Sequence, residues 1–380
     1  MKKVFLSLMV FISLITSNCS KSEDNPSTNG TSQETHQKQP QKQPQVQQEP
    51  PISSWEYELS PDGKTLVRWK STTRTTLNMQ EHPILSQVTT IGTWAFENCQ
   101  SLKSITFPSS LTTIKNGAFS KSGLTSIIIP EGITTIEASA FSNCKSLVSA
   151  SIPKSATSIS NWIFDYCDNL EEVTYAPKIV KGSMLNNLAS LKKVNLLEGV
   201  TTIDSWAFEN CQSLKSITFP STLTTIKNAA FSKSGLTSII IPEGITTIEA
   251  LAFSNCKSLV SASIPKSATS IGDWIFDYCD NLEEVTFAPK IVKMSMLNNL
   301  SNLKKVTLLE SVTSISEWAF ENSRKLTTVI VKATIPPLLR GENVFRNTSI
   351  EHIYVPTSSI NAYKTDRVWK NFASKIQAQP

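Results

Sequence analysis

Glycine is scarce, at 12 of 380 residues, so a Gly-rich phosphate-cradling loop has nothing to be built from. Histidine is scarcer. His36, His82 and His352 lie far apart and supply neither a zinc ligand set nor a base beside a nucleophile. Charged residues make up only 18% of the chain, and the formal net charge is +5. Lys2 and Lys3 contribute to that charge from a leader, and no dense Lys/Arg stripe follows, so nucleic-acid binding has little electrostatic support. Long apolar runs are missing too. The run at residues 4–15 is too short to span a bilayer as a helix. What fills the space is Ser, Thr and Asn, which suits a β-rich, turn-rich surface.

The first eighteen residues carry the marks of an export signal, with a charged start and a short apolar stretch. Thr16-Ser17-Asn18-Cys19 follows and resembles a bacterial lipobox, although Thr16 and Asn18 depart from its usual aliphatic and small residues. Acylation of Cys19 is the expectation; ordinary cleavage and secretion is the alternative. Residues 19–51 include KQPQKQPQVQQEPP, with almost nothing apolar to offset ordering entropy. They read as a disordered Gln/Pro-rich tether. Proline stiffening at ~3 Å per residue gives it a reach of ~100 Å.

The rest of the chain is written in repeats. WAFENCQSLKSITFP occupies residues 94–108 and returns at 206–220, and WAFEN begins again at 318. Residues 91–202 and 203–314 differ at 14 of 112 positions. A shorter period lies inside. Ile recurs at 91, 114, 136, 159, 179 and 203, at steps of 23, 22, 23, 20 and 24, and the same steps lead through Ile226, Ile248, Ile271 and Ile291 to Ile315. Eleven units of I-x-x-x-A-F-x-x-C-x-x-L-x-x-I-x-F-P-x-x-L-T-T result. Leu102-x-x-Ile105-x-Phe107 reads as a short strand with one face buried. Pro108 and its copies end that strand, because proline cannot donate to the ladder. Leu111 to Ile114 forms a second extended segment, and Ala118-Phe119 marks a tight helical turn between strands. No unit can bury its apolar residues alone, but a stack can.

AFSNCKSLVSASIPKSATSI and its sisters resemble the BspA-like leucine-rich repeat family of bacterial surface proteins, over roughly residues 85–335. The expected fold is a β-rich solenoid: a right-handed leucine-rich-repeat coil stack of about eleven 20–24-residue coils over 91–335. An N-terminal hairpin cap over 52–90 turns at Pro61-Asp62-Gly63. A C-terminal cap over 336–380 is expected to be helical, with Ile360, Tyr363, Trp369, Phe372 and Ile376 facing inward. The resemblance implies adhesion to host matrix proteins, host cells or other bacteria.

Three features could carry recognition. Trp94, Trp162, Trp206, Trp274 and Trp318 share one column with Gly117, Ser139, Ala229 and Leu251, a tolerance that implies half exposure. They either pack flat on neighbouring coils or offer faces to sugars or a protein. The outward strand face is mostly small and hydroxylated, with an acidic/basic stripe at Glu172/Lys193 repeated at Glu284/Lys305, ~25 Å away. The turn Asp165, Asp168, Glu171, Glu172 is acidic but lacks the spacing of a calcium loop. The column of Cys99, Cys144, Cys167, Cys211, Cys256 and Cys279 also holds Ser122 and Leu188, as an inward site would; only Cys144/Cys167 and Cys256/Cys279 are placed for bridges. An enzymatic site, if present, falls in the irregular stretch 335–348.

These observations lead to a non-enzymatic protein on the outer membrane or cell surface, held to the membrane through Cys19. It is expected to be a monomer without cofactor or metal, binding proteins or, alternatively, glycans outside the cell, and not nucleic acid.

Overall fold

The computed structural model describes residues 49–294 and 296–380. The expected signal peptide, Cys19 and nearly all of the tether lie outside the described residues. The described chain forms one compact unit, Glu49–Pro380. It is a β-solenoid of about 14 turns. The stack therefore outruns the eleven repeats, because both flanking segments continue it. Tyr57–Leu59 and Thr65–Trp69 pair antiparallel, and Thr65–Trp69 then pairs in parallel with Thr90–Ile91. At the other end His352–Val355 lies on Thr328–Val331, and Ile376–Ala378 lies on His352–Val355.

Most coils contribute a longer strand, such as Glu172–Tyr175, and a two-residue strand, such as Thr202–Ile203. Equivalent residues of successive coils pair in register, as in Val173↔Val194 and Ile203↔Ile226. The side-chain period of two then turns the same column inward in every coil. Phe rings stack along the axis: Phe96–Phe119 at 4.7 Å, Phe119–Phe141 at 5.2 Å and Phe231–Phe253 at 5.4 Å between centroids. Trp69 extends the first Phe stack and Trp369 packs on Phe345 at the far end. The caps thus cover the open core with aromatic rings.

Two expected placements are corrected. Ile179 and Ile291 are not the inward residues of their coils. Val180 and Val292 are fully buried and pair with Ile203 and Ile315, while Ile179 is half-buried and Ile291 exposed. The cause is a short turn. Ile159 lies seven residues after Ile152, whereas Val180 lies five after Tyr175. The column held by Ala156 and Val200 has no member there, and the large buried ring of Tyr175, or Phe287 in the copy, fills the core. The two-residue ladder breaks at each short turn, between Ser158–Ile159 and Ile179–Val180 and between Ser270–Ile271 and Ile291–Val292.

The C-terminal cap is also less helical than expected. Its helix is only Ile360–Thr365; Asp366 then receives the N–H groups of Val368 and Trp369 at 3.0 and 3.1 Å and starts a 3-10 turn. Ile376 is buried from a strand, not from a helix. Tyr363 and Trp369 are fully buried, with Tyr363 Oη donating to the Ala333 carbonyl at 2.7 Å and Trp369 Nε1 to that of Pro337 at 2.7 Å. Ile360 and Phe372 are partly buried against the same core.

Candidate binding surfaces

The outward face of the longer strands is the first candidate. Glu172 is the register partner of Lys193, and Glu284 of Lys305. Lys193 Nζ lies 2.6 Å from Glu172 Oε1, and Lys305 Nζ lies 3.3 Å from Glu284 Oε2. Glu171–Lys192 and Glu283–Lys304 add parallel pairs at 2.7 and 2.8 Å. All are solvent-exposed, so each stabilises the fold by at most about 1 kcal/mol. Their consequence is a neutralised stripe whose charges remain reachable.

Beside each stripe stands one apolar side chain without cover. Ile128 is 74% exposed and Ile240 76%. Their register partners are Ser151 and Ser263, and the next residues along that row are Thr174 and Thr286. Each block therefore presents an isolated isoleucine about two strand spacings, ~10 Å, from its charge stripe.

The face is not one continuous sheet. Ser126–Ile128 begins a four-stranded sheet ending at Lys193–Leu196, and Ser238–Ile240 begins a seven-stranded one. Among the described residues, the strand ladder reaches the coil between them only through the isolated bridge Asn195↔Thr218. Ile217 and Phe219 of that coil are half-buried, and a groove of about 370 Å³ opens beside them. The two interruptions, here and before Ser126, fall at the coils of Phe219 and Phe107, whereas Glu284–Phe287 also ends in Phe and pairs on both sides. The Phe107 and Phe219 rings pack edge-on against the next Phe at 5.8 and 6.0 Å. The alternating pattern of the sequence carries no sign of this step.

The tryptophans are the second candidate. Trp94, Trp162, Trp206 and Trp274 are 46–52% exposed, and Trp318 is half-buried. All five have φ between 54 and 58°, the left-handed region that bulky residues rarely enter. A Cβ on Gly117 would stand 2.3 Å from the Trp94 ring, so that ring lies flat on the next coil with its other face open. Ala229 is the copy's equivalent of Gly117 and shares its left-handed conformation. A second left-handed column sits four residues further on, at Asn98, Asn143, Asn187, Asn210, Asn255, Asn299 and Asn322, with Tyr166, Tyr278, Lys121 and Lys233 in four other coils. Asparagine tolerates this conformation. The recurring Asn was the available signal for it.

The remaining candidates become structural. Cys144, Cys167, Cys211, Cys256 and Cys279 are buried free thiols, each donating to a carbonyl of the preceding coil: Phe119, Phe141, Leu185, Phe231 and Phe253 at 3.0–3.2 Å. Ser323 does the same toward Leu297 at 3.1 Å, which explains why Ser replaces Cys in this column. Burial pushes the Cys211 thiol up to about 12, far from thiolate reactivity. Cys99 is only partly buried. In the acidic turn, Asp168 pairs with Lys145 at 2.5 Å, and Glu171 and Glu172 with the lysines above. Residues 335–348 are a further coil rather than an irregular loop. Leu338–Arg340 pairs with Ser314–Ser316, and Val344 and Phe345 are buried.

Stacked parallel coils around a shared ladder of Phe and Leu, closed by caps, define a leucine-rich-repeat solenoid. The BspA-type leucine-rich repeat region model matches residues 73–186, 178–296 and 290–367, in six copies, and the chain belongs to that family. Among solved structures, a leucine-rich repeat protein from Bacteroides ovatus is 25% identical, with 83% of this chain and 88% of that chain covered and a TM-score of 0.50. A leucine-rich cell surface protein from Faecalibacterium prausnitzii is 23% identical, over 87% of this chain and 100% of that one, with a TM-score of 0.40. No curated protein matches the chain. Among the described residues, no helix is long and apolar enough to cross a membrane.

Proposed function

We propose that this chain is a non-catalytic adhesion protein, exported and lipid-anchored at Cys19, that holds an extracellular protein on the outward face of its longer strands. The observation that carries this reading is the exposed Ile128, repeated as Ile240, beside the stripe Glu172/Lys193, repeated as Glu284/Lys305. An isolated apolar anchor next to reachable charges is the arrangement that protein interfaces bury at their centre. Two copies at fixed spacing favour a multivalent partner such as a matrix fibre or another cell.

The test is a screen of the full chain on immobilised matrix proteins and on a glycan array. Ile128→Ser with Ile240→Ser should weaken protein binding at least about tenfold, the scale of one lost buried aliphatic anchor per copy. Lys193→Glu with Lys305→Glu should weaken it too, and added salt should mimic the effect. Trp94→Ala with Trp206→Ala should leave protein binding intact. If instead the tryptophan pair abolishes retention on glycans while the strand-face variants bind normally, the open Trp faces are the site and this reading is wrong.

A further inference from the structure

The short turn at 175–180 leaves a notch in the edge of the solenoid. It is about 480 Å³ in volume, and its floor is formed by Ala156, Ile159, Ala176 and Pro177. Lys154, Lys178 and Lys181 line its walls, and no carboxylate does. Lys154 comes from the coil before. Its chain extends toward Gly199 of the coil after, where a Cβ would still be 4.0 Å from Lys154 Cε. Asp204 interacts with Lys181 but is held by Lys227 at 3.0 Å.

The broken ladder redirects one backbone donor. In intact coils the residue after the buried Ile donates to the coil below, as Glu137 N does to the Ile114 carbonyl at 2.9 Å and Asp204 N to that of Val180 at 2.9 Å. The strand Ile179–Val180 does not pair with Ser158–Ile159. The N–H of Lys181 thus lacks the Ile159 partner that the register assigns to it and bonds instead to the Tyr175 hydroxyl. Ammonium groups around a small aliphatic floor match a ligand with negative charge on an apolar ring face.

We propose that this notch binds one acidic sugar unit, a uronate or sulfated pyranose, of an anionic polysaccharide. The notch is bounded by full-length turns on both sides, two coil spacings or ~10 Å apart. That width admits a sugar ring. It gives an extended peptide no edge to run along. The copy at Lys266, Lys290 and Lys293 is already occupied by its own chain. Lys293 Nζ donates to the Ile271 carbonyl at 2.5 Å, and Ser311, in place of Gly199, turns its hydroxyl onto the Ala288 carbonyl. The first notch is therefore the binding one. It lies apart from the strand face, so the two sites succeed or fail separately.

The experiment is calorimetric titration of the full chain with a hexamer of galacturonate, its methyl ester and a hexaglutamate peptide. Binding is expected for galacturonate and about tenfold weaker or worse for the neutral ester. Lys154→Ala with Lys178→Ala should reduce galacturonate affinity about tenfold or more, and Gly199→Ser should reduce it by filling the mouth. Lys266→Ala with Lys290→Ala should change nothing, nor should Lys193→Glu with Lys305→Glu. These lysines are exposed, and circular dichroism verifies that the variants fold. No binding of the galacturonate hexamer, equal binding of the ester, tighter binding of hexaglutamate, or full affinity in the Lys154/Lys178 variant would each overturn the proposal.

Discussion

Arg74→Ala should destabilise the N-terminal coils by about 3–5 kcal/mol, the cost of leaving a buried charge without its partner. Arg74 and Glu56 are both nearly inaccessible. The guanidinium meets Glu56 through two bonds of 3.0 Å, Nε to Oε2 and Nη2 to Oε1, and donates to the Pro50 carbonyl at 2.9 Å. Glu49 joins from the other side, accepting from Arg74 Nη1 at 3.2 Å and from the Thr75 N–H at 2.7 Å. One cation thus ties residues 49–56 to the start of the stack. Arg74→Lys keeps the charge but not the two-pronged geometry, and should recover only part of the loss. The loss should stay local, because each coil contacts only its neighbours. Hydrogen exchange should accelerate at Tyr57–Leu59 and Thr65–Trp69 and stay slow at Thr328–Val331.

The same pair sets a pH dependence. Arg74 holds the Glu56 carboxyl down to about 2, against the opposing effect of burial. A folded value below the unfolded one, near 4.5, means stabilisation that is complete above about pH 4.5 and lost as pH falls toward 2. Arg74→Ala should remove most of that acid dependence at the N-terminal end. An unchanged acid limb in the variant would show that other carboxylates govern it.

Gly123→Ala is the second large effect, expected at about 3 kcal/mol, the upper end of overpacking costs. A Cβ there would stand 1.9 Å from the Gln100 carbonyl oxygen, a backbone atom that has no room to yield. Gly123 N also donates to the Cys99 carbonyl at 3.0 Å, so withdrawal would break a bond that joins two coils. Gly235→Ala repeats the case, at 1.9 Å from the Gln212 oxygen. Gly117→Ala is the contrast. Its Cβ would meet the Trp94 ring, a side chain that can shift, and the copy carries Ala229 beneath Trp206. Thermal unfolding should show a large drop for Gly123→Ala and a smaller one for Gly117→Ala, about 1 kcal/mol from its left-handed backbone.

Much of this fold is legible in the sequence because a solenoid makes position equivalent to period. The Phe and Leu columns, the inward cysteines and the pairing of Glu172 with Lys193 all follow from counting residues. What escapes is what the count cannot resolve. Ile179 and Val180 are adjacent and both β-branched, so periodicity alone could not say which turns inward after a shortened turn. The left-handed backbone beneath Trp94 shows only as tolerance of Gly117 and as Asn four residues later. Glu49, Glu56 and Arg74 meet across up to 25 residues that carry no repeat. The step in the strand face at Phe219 has no counterpart in the alternation of polar and apolar residues.

Deleting residues 203–314, so that Thr202 joins Ile315, tests the additive stack most directly. Lys193–Leu196 would then take the place of Lys305–Leu308 against Thr328–Val331, with the same buried Val and Leu at the seam. Small-angle scattering should report a folded particle shortened along one axis by about 24 Å, five coil spacings, with unchanged cross-section. A collapsed or unfolded chain, or a particle that loses mass without losing that length, would contradict the single continuous solenoid.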